Sequence, residues 1–426
     1  MGKRKISGVV ASHILILISG AAWGIVALLL VHLLPTEPMK KHVYWSMGML
    51  EKEFTDETLI DGFDATLTGS FTDCLMLEHA VYTSEKHTLL EQVLHMYRGE
   101  SHSPEGWWPG YSLKDYLENV PQQWEVEYSR YWHGYLVILK PLLLFFSLNI
   151  IRLLNASLQL IMAGLVLIGF CEKKAYLPAR GFLLSLPFLF FVSTYASLSL
   201  SICFYIMTAA LLVELKSDEY LNRKGLYGKF FLALGMITAY FDFLTYPLIT
   251  LLYPLCVYLY LHEKSFGENI IGMVKYSMEW FVGYMGLWAA KWVLVDLFTG
   301  SAVIENALST ILTRTQSAAG GSRANGLISV LSKNLAVYGN WCYVLLIAAW
   351  LLILILRLKR GQEKNENFAG GKMAYFVLAL YPIGWYFVTQ NHAEEHWQFT
   401  CRILAAGVFA GVTGFERLLC KQWKEN

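Results

Sequence analysis

Long apolar runs separated by short polar pieces make up most of this chain. The first run covers about 10–34 and follows the basic start "MGKRK". At 1.5 Å per residue its length is about 36 Å, which is enough to cross a bilayer. No small-residue cleavage site follows it, so we predict an uncleaved anchor. Nine further runs predict nine more spans, at 148–171, 181–197, 199–215, 229–242, 245–261, 270–297, 335–357, 373–389 and 402–418.

The composition agrees with this pattern. Of 426 residues, 55% are hydrophobic, 15% aromatic and only 16% charged, which excludes an ordinary soluble globular protein. The seven cysteines form no CxxC pair, so the sequence indicates neither a disulfide framework nor a zinc site.

The positions of the charges predict the topology. With the N-terminus inside, roughly twenty of the 34 Lys and Arg residues fall in the cytoplasmic pieces, as the positive-inside rule requires. Both termini are then cytoplasmic, in a multi-pass protein of the cell membrane. The predicted parts are an N-terminus with the first helix (1–34), a loop domain (35–132), a helical membrane domain (133–418) and a tail (419–426).

The loop domain differs in composition from the rest of the chain. It carries 17 acidic residues against 7 Lys and Arg, a balance that suits the outer face better than the anionic inner leaflet. Short helical patterns such as "SEKHTLLEQVLHMYR" alternate with turn signals. The predicted fold class is therefore an all-α polytopic membrane protein, with about ten transmembrane helices and one mainly helical extracytoplasmic domain after the first.

The stretch "TGSFTDCLMLEHA" in the loop domain contains a candidate catalytic carboxylate. Asp73 stands where a turn becomes a helix, so Thr72 or Asp73 could simply cap that helix. A carboxylate beside an apolar helix near the membrane can also have a raised pKa and act as a general base.

A second candidate segment is "YSRYWHGYLVILKPLLL". Its aromatic residues, including Tyr131, suit the belt at a membrane interface. Its cationic candidates Arg130, His133 and Lys140 could instead hold a lipid-linked phosphate.

A third segment, "TQNHAEEHWQFTCR", precedes the last predicted span. His392 and His396 have the spacing of one helical face, as in metal-binding helices. The order H-A-E-E-H lacks the general-base position of a zincin, and a solvated loop is the plain alternative. Arg402, however, lies at the mouth of an apolar span, where an idle charge is costly.

Two acidic residues fall in or near predicted spans. Asp242 and Glu279 would each cost about 2.5 to 3.5 kcal/mol at the bilayer centre, so both are functional candidates. The topology predicts Asp242 at the outer end of its span, within reach of the other candidates.

Taken together, "FTDCLML", "RYWHGYLVILKPLL" and "NHAEEHWQFTCR" resemble the GT-C class of integral membrane glycosyltransferases, in its polytopic bacterial form. The resemblance implies a polyprenyl-phosphate sugar donor at the outer leaflet and a glycan or cell-envelope acceptor. It implies Asp73 as the base, with Glu37 as the alternative base because that class often has its acidic residue soon after the first span. The implied substrate-binding residues are Arg130, Tyr131, His133, Lys140, Asp242, Asn391, His392, His396 and Arg402.

Other readings of the sequence remain open. The expected partners are the donor, a glycan or lipid acceptor and membrane lipid, with no nucleic acid. No cofactor is required, although the outer carboxylates Asp73, Glu78, Glu394 and Glu395 could hold a divalent cation. A transporter or lipid-linked glycan flippase is the main alternative, but the chain lacks the paired, interrupted helices of two symmetric halves. A polysaccharide polymerase or ligase and a membrane scaffold complete the alternatives.

Overall fold

A computed structural model describes residues 2–55, 58–101, 108–318, 322–359 and 370–419. The structure is about 78% helical with almost no β-sheet, which confirms the predicted all-α class. The only β-sheet among them is a two-stranded antiparallel ribbon in the loop domain. The predicted tail, 419–426, lies outside the described residues except for Leu419.

The first part of the chain contains one long helix and a set of short elements. The long helix is α1 (Gly2–His32). The short helices of the loop domain are α2 (Thr36–Tyr44), α3 (Met47–Thr55), α4 (Ser70–Val81), α5 (Leu89–His95) and α6 (Pro109–Leu117). The ribbon pairs β1 (Arg98–Glu100) with β2 (Trp124–Val126), and Gly99 lies opposite Glu125.

The second part of the chain alternates long helices with short or interrupted ones. Its helices up to residue 299 are α7 (Leu136–Phe145), α8 (Leu148–Glu172), α9 (Tyr176–Ser185), α10 (Phe191–Ala196), α11 (Leu198–Arg223), α12 (Tyr227–Phe241), α13 (Ile249–Leu261) and α14 (Phe266–Thr299). Those that follow are α15 (Val303–Arg314), α16 (Arg323–Ala336), α17 (Trp341–Lys359), α18 (Ala374–Ala379), α19 (Tyr381–Val388), α20 (Gln390–Glu395), α21 (Trp397–Thr400) and α22 (Leu404–Leu419).

Among the described residues, five helical segments are long and apolar enough to cross a membrane, or six if the pair α16 and α17, bent by 84°, forms one span. The five are Val10–His32, Leu148–Glu172, Leu198–Arg223, Phe266–Thr299 and Trp397–Leu419. The other predicted spans fall in shorter or broken helices. For example, the run 181–197 is divided by a 3₁₀ turn at Pro187–Leu189 and by Phe190, whose φ is 51°. The predicted number of ten spans is therefore not confirmed by helix length alone.

The helices pack closely where glycine allows it. α12 and α14 meet at Gly235 and Gly283, and a Cβ at Gly235 would lie 2.0 Å from the carbonyl oxygen of Trp280. A Cβ at Gly283 would lie equally close to the carbonyl oxygen of Leu232. Small residues at these positions let the two backbones touch, as in membrane helix pairs.

Polar contacts mark two ends of the helical bundle. At the end that carries the loop domain, which we call the domain end, the main-chain N–H of Leu148 donates to Ser46 Oγ at 3.0 Å and Lys291 Nζ donates to the Val93 carbonyl at 3.1 Å. The N–H of Gly134 donates to the Tyr240 carbonyl at 2.9 Å. These bonds attach the loop domain and the segment after it to α8, α12 and α14.

A separate set of contacts lies at the opposite end. His262 Nε2 lies 2.8 Å from Asp218 Oδ1, and Arg417 pairs with Glu263 at 2.9 Å. Arg180 Nε donates to Glu416 at 2.6 Å. The ends of α11, α13 and α22 and the start of α9 therefore meet at this end.

Candidate functional site

The side chain of Asp73, a residue of α4, lies against the N-terminus of α11. Its side chain is fully buried and accepts hydrogen bonds from the N–H groups of Leu198 (2.8 Å) and Ser199 (3.0 Å). The hydroxyls of Ser197 and Ser199 donate to the same carboxylate at 3.0 and 2.9 Å. The first N–H groups of a helix have no partner within that helix, and its dipole favours an anion there. Asp73 therefore caps α11, whereas the N-cap of its own helix α4 is Gly69.

Gly69 is required for this approach. A Cβ at Gly69 would lie 2.5 Å from Ser197 Oγ and 2.7 Å from Ser199 Oγ, so a larger residue would push α4 away from the start of α11. Gly69, just before α4, and Asp73, within α4, therefore both contribute to the packing of α4 against the start of α11.

An ion-pair network extends from Asp73. The guanidinium of Arg152, on α8, lies 3.7 Å from Asp73 Oδ2 and bonds both carboxylate oxygens of Glu53. Burial raises the pKa of Asp73, and the Arg152 charge and the N–H groups of α11 oppose that rise. The site thus combines a carboxylate that accepts four hydrogen bonds with a guanidinium, and both groups are buried.

Arg402 is fully buried in the turn between α21 and α22. Its guanidinium donates to the Gln398 carbonyl at 2.5 Å and to Ser193 Oγ at 2.8 Å. The rings of Phe190 and Tyr246 lie 5.0 and 5.9 Å from its central carbon. No carboxylate in the described part of the chain pairs with it, and its Nε has no hydrogen-bond partner there. A buried cation without an anion is costly, so an anionic ligand is the natural partner for this position.

One short segment connects the two candidates. We call Ser193–Ser199, the end of α10 and the start of α11, the serine junction. Arg402 bonds Ser193, and Asp73 bonds Ser197 and Ser199. Four residues at helical rise separate Ser193 from Ser197 by about 6 Å. Asp73 and Arg402, which are 329 positions apart in the chain, therefore both bond to this one segment.

The turn between α12 and α13, residues 242–246, lies beside the serine junction. Asp242 is buried and accepts from the N–H of Thr245 at 3.0 Å and from the Thr245 hydroxyl. Leu244 has a positive φ of 66° and presents its carbonyl to His392 Nε2 at 2.9 Å. The Tyr246 hydroxyl donates to the carbonyl of Leu200, in the first turn of α11. His392 and Arg402 therefore lie beside the turn that contains Asp242.

The two histidines of the third segment are neutral. Burial lowers the pKa of His392 to about 3, helped by His396 and Arg314. Burial and Arg314 lower the pKa of His396 to about 4. Their rings lie 4.9 Å apart, and Nδ1 of His392 has no partner within the described residues. The positive charge in this cluster therefore comes from Arg402 and not from these rings.

The segment around residue 131 packs against the same turn. Tyr131 and His133 contact the ring of Phe243 at 5.6 and 5.4 Å between centroids. His133 has a φ of 58°, and its Nε2 donates to the Tyr128 carbonyl at 2.8 Å. Burial lowers the pKa of His133 to about 3. Tyr131 and His133 thus join the site as neutral packing and hydrogen-bonding groups.

Four predicted residues lie apart from this cluster. Arg130 donates to Asn306 at 2.7 Å, and buried Lys140 donates to the Ala80 carbonyl at 2.7 Å. Asn391 donates to Glu395 at 3.1 Å. The side chain of Glu37 is 83% exposed and pairs with Lys40 at 3.0 Å.

The structure also separates the carboxylates that could have held a divalent cation. Asp73 caps α11, and Glu78 lies 4.0 Å from Arg98. Glu394 accepts from Ser329 at 2.8 Å, and Glu395 pairs with Arg314 at 2.5 Å. The described residues bring no three His, Cys, Asp or Glu side chains together in a metal-binding arrangement.

Several buried charges were not singled out in the sequence. Arg152, Lys291 and Glu214 each interrupt an apolar helix, and that interruption was the available signal. Glu214 is fully buried, and both of its carboxylate oxygens lack a hydrogen-bond partner among the described residues. Glu279, which the sequence did indicate, lies 2.6 Å from His13.

Two surface grooves lie away from the cluster. One, of about 590 Å³, runs beside α15. The other, of about 680 Å³, is lined by α2 and the end of α6 and includes Glu37. Neither is lined by Asp73, Asp242 or Arg402.

Comparison with known proteins adds no relative. No family model, curated protein or solved structure matches the chain. The functional argument therefore depends on the residues themselves.

Proposed function

We propose that this protein is a membrane glycosyltransferase of the GT-C type, which moves a sugar from a polyprenyl-phosphate donor to an extracytoplasmic glycan or cell-envelope acceptor. The observation that carries the proposal is the serine junction, which holds a buried carboxylate and a buried arginine without an anionic partner in the described chain. Such a pair supplies the base and the phosphate-binding group that the reaction needs.

The roles follow from the chemistry of the transfer. The acceptor oxygen attacks the anomeric carbon and the bond from that carbon to the phosphate oxygen breaks, with inversion. The acceptor proton passes to the carboxylate of Asp73, which already accepts hydroxyl donors from Ser197 and Ser199. The departing polyprenyl phosphate takes the negative charge, which Arg402 stabilises in a water-poor site. Glu37 stays the alternative base, in its own groove beside α2.

We also propose that the chain crosses the membrane ten times. The starts of α8 and α11 and the end of α12 bond to elements of the domain end, while the ends of α11, α13 and α22 meet at the opposite end. Ten membrane crossings are compatible with these contacts on three conditions. The broken pair α9 and α10 crosses once, the broken pair α18 and α19 crosses once, and α17 crosses alone. Both termini would then be cytoplasmic, with the domain end outside.

The proposal is tested at Arg402. Purified wild type, Arg402→Gln and Arg402→Lys are incubated with a polyprenyl-phosphate hexose in detergent, and retained lipid is measured by native mass spectrometry. A charge-assisted contact contributes about 1.5 to 3 kcal/mol, so Arg402→Gln should lower retention roughly 10- to 100-fold. Arg402→Lys should retain an intermediate amount.

Arg417→Gln is the matched control, because Arg417, in α22, is another buried arginine but already pairs with Glu263. It should bind the donor like wild type. Equal retention in all variants, or retention in none including wild type, would contradict the proposal. Transfer of a labelled sugar to envelope glycan is then measured on the variants that keep the wild-type melting temperature.

A transporter or flippase is the second candidate, and one observation favours it. Glu214 lies on α11 with neither oxygen hydrogen-bonded to a described residue, and unpaired acidic residues inside a membrane often mark ion pathways. This reading predicts that Glu214→Gln abolishes function while Arg402→Gln does not. Transport of a fluorescent lipid-linked sugar in proteoliposomes, measured on both variants, distinguishes the two candidates.

A further inference from the structure

If α1 and α8 cross the membrane, the contacts of helix α2 put it at the level of the lipid headgroups. Only three residues separate it from His32, the last residue of the first candidate span, and they reach at most about 14 Å. At its other end, Ser46 Oγ accepts from the N–H of Leu148, the first residue of α8. His42 Nδ1 also donates to the Leu143 carbonyl at 2.8 Å. A helix tied at both ends to the starts or ends of spans lies along the membrane surface.

The two faces of α2 suit that position. Met39 and Val43 are buried against the protein. Tyr44 and Trp45 are 51% and 59% exposed, and aromatic residues of this kind concentrate at the membrane interface. Lys41 is exposed beside them, so the outward face combines aromatic and cationic groups, as in interfacial helices.

A groove of about 680 Å³ opens on this face. The exposed side of α2 forms most of its lining, and Leu117 and Asn119 close it from the end of α6. Asn119 has a φ of 60°, which turns the chain sharply after α6. The groove is therefore bounded by two elements of the loop domain and opens where lipid headgroups lie.

The charges in the groove favour an anion. Lys40 pairs with Glu37 at 3.0 Å and stacks over the Tyr116 ring at 5.1 Å. Lys41 lies over the Trp45 ring at 5.1 Å, and no carboxylate of the described chain pairs with it. One ammonium group is thus left to meet a phosphate, with a second held next to it.

We infer that the α2 groove binds the phosphate headgroup of an anionic membrane glycerophospholipid. The inference requires that α1 and α8 cross the membrane. It is compatible with glycosyl transfer in which Asp73 is the base, but not with transfer in which Glu37 is the base, because Glu37 lines the same groove. Lys41 would contact the phosphate and Lys40 would contribute from its pair with Glu37. Trp45 would pack beside the upper part of the acyl chains.

The test uses the full chain in nanodiscs that contain phosphatidylcholine with or without phosphatidylglycerol. Lipids released from the protein are counted by native mass spectrometry for wild type, Lys41→Gln and Lys40→Gln/Lys41→Gln. Each lysine near an anionic surface should contribute about a five-fold preference. The single variant should therefore lose about five-fold of the preference for phosphatidylglycerol and the double variant more.

Lys86→Gln is the control, because Lys86 is an exposed lysine of the same domain outside the groove. It should bind phosphatidylglycerol like wild type. Four results would overturn the inference. The first three are equal retention of the two lipids, the same loss in the control, and displacement of phosphatidylglycerol by millimolar inorganic phosphate, which would make the groove a site for free phosphate. Displacement by equimolar polyprenyl phosphate would overturn it in favour of a donor site. Donor retention by Arg402→Gln is measured separately, so failure here leaves the test of the transferase unaffected.

Discussion

Replacing Asp73 by asparagine tests the contact on which the site depends. The amide has nearly the shape of the carboxylate but exchanges one acceptor oxygen for an NH₂ donor and removes the charge. Oδ2 accepts from the N–H of Leu198, whereas Oδ1 accepts from Ser197 and from both the N–H and the hydroxyl of Ser199. In either orientation the NH₂ group faces a main-chain N–H of α11 that cannot turn away.

The size of the effect follows from the lost bonds. One hydrogen bond to a charged acceptor contributes about 1.5 to 3 kcal/mol, and an unsatisfied buried N–H costs a similar amount. Arg152 also loses one of its two carboxylate neighbours. We expect Asp73→Asn to lower the free energy of unfolding by about 3 to 4 kcal/mol. Ser199→Ala removes a hydroxyl donor but keeps the charge, so it should cost about 1 kcal/mol.

The assay is equilibrium unfolding in mixed detergent and SDS micelles, followed by tryptophan fluorescence. Asp61→Asn is the control, since Asp61 is an exposed acidic residue of the same domain and its change should stay within about 0.5 kcal/mol. If Asp73→Asn unfolds like wild type, Asp73 is protonated in the native chain and our account of the α11 cap is refuted. A variant that kept its stability but lost transfer would separate the role of base from that of cap.

Three further predictions concern packing, pH and the buried ion pair. Gly235→Ala should destabilise the protein by about 1 to 3 kcal/mol because its Cβ meets the backbone of α14, whereas Gly164→Ala, whose Cβ meets nothing within 4 Å, should be neutral or stabilising in the same unfolding assay. The pKa of His392 is about 3 in the folded chain, below its ordinary value of 6.5, so its contribution to stability is present above about pH 6.5 and is lost as pH falls. Between pH 7 and pH 5 wild type should lose about 2 kcal/mol more than His392→Gln, and parallel pH dependence of the two would contradict this. Arg152→Gln should cost about 3 to 5 kcal/mol by leaving buried carboxylates unpaired, and Arg152→Met combined with Glu53→Leu should recover part of that loss in thermal unfolding.

The apolar pattern predicted the long helices well, because their burial in lipid or protein depends on composition alone. The first span was predicted at 10–34 and ends at His32, and the second was predicted at 148–171 and ends at Glu172. The breaks were harder to predict. The interruption near Phe190 depends on a left-handed residue that is neither glycine nor asparagine, and such a conformation is held by its surroundings.

The sequence indicates several residues of the cluster around the serine junction, but not their arrangement. The sequence indicates Asp73 because a carboxylate beside an apolar helix can have a raised pKa, and Arg402 because an idle charge at the mouth of an apolar span is costly. The sequence placed Asp73 at the start of its own helix, whereas it caps a helix that begins 125 residues later. No local pattern encodes that contact, since it depends on how α4 packs against α11. The same rule about costly charges would have indicated Arg152, whose position in "NIIRLLN" is visible without a structure.

The polar groups of α11 bear on the choice between the proposed transferase and the alternative transporter. Asp73 binds the first turn of the helix, and Glu214 lies 16 residues beyond its first residue, a distance of about 24 Å. A transport path would need free polar groups along that distance, but the hydroxyls of Ser201 and Thr208 donate to carbonyls of α11 itself. The proposed transfer needs an anion site at one face only, and Arg402, which bonds Ser193 just before α11, is the proposed group for that site.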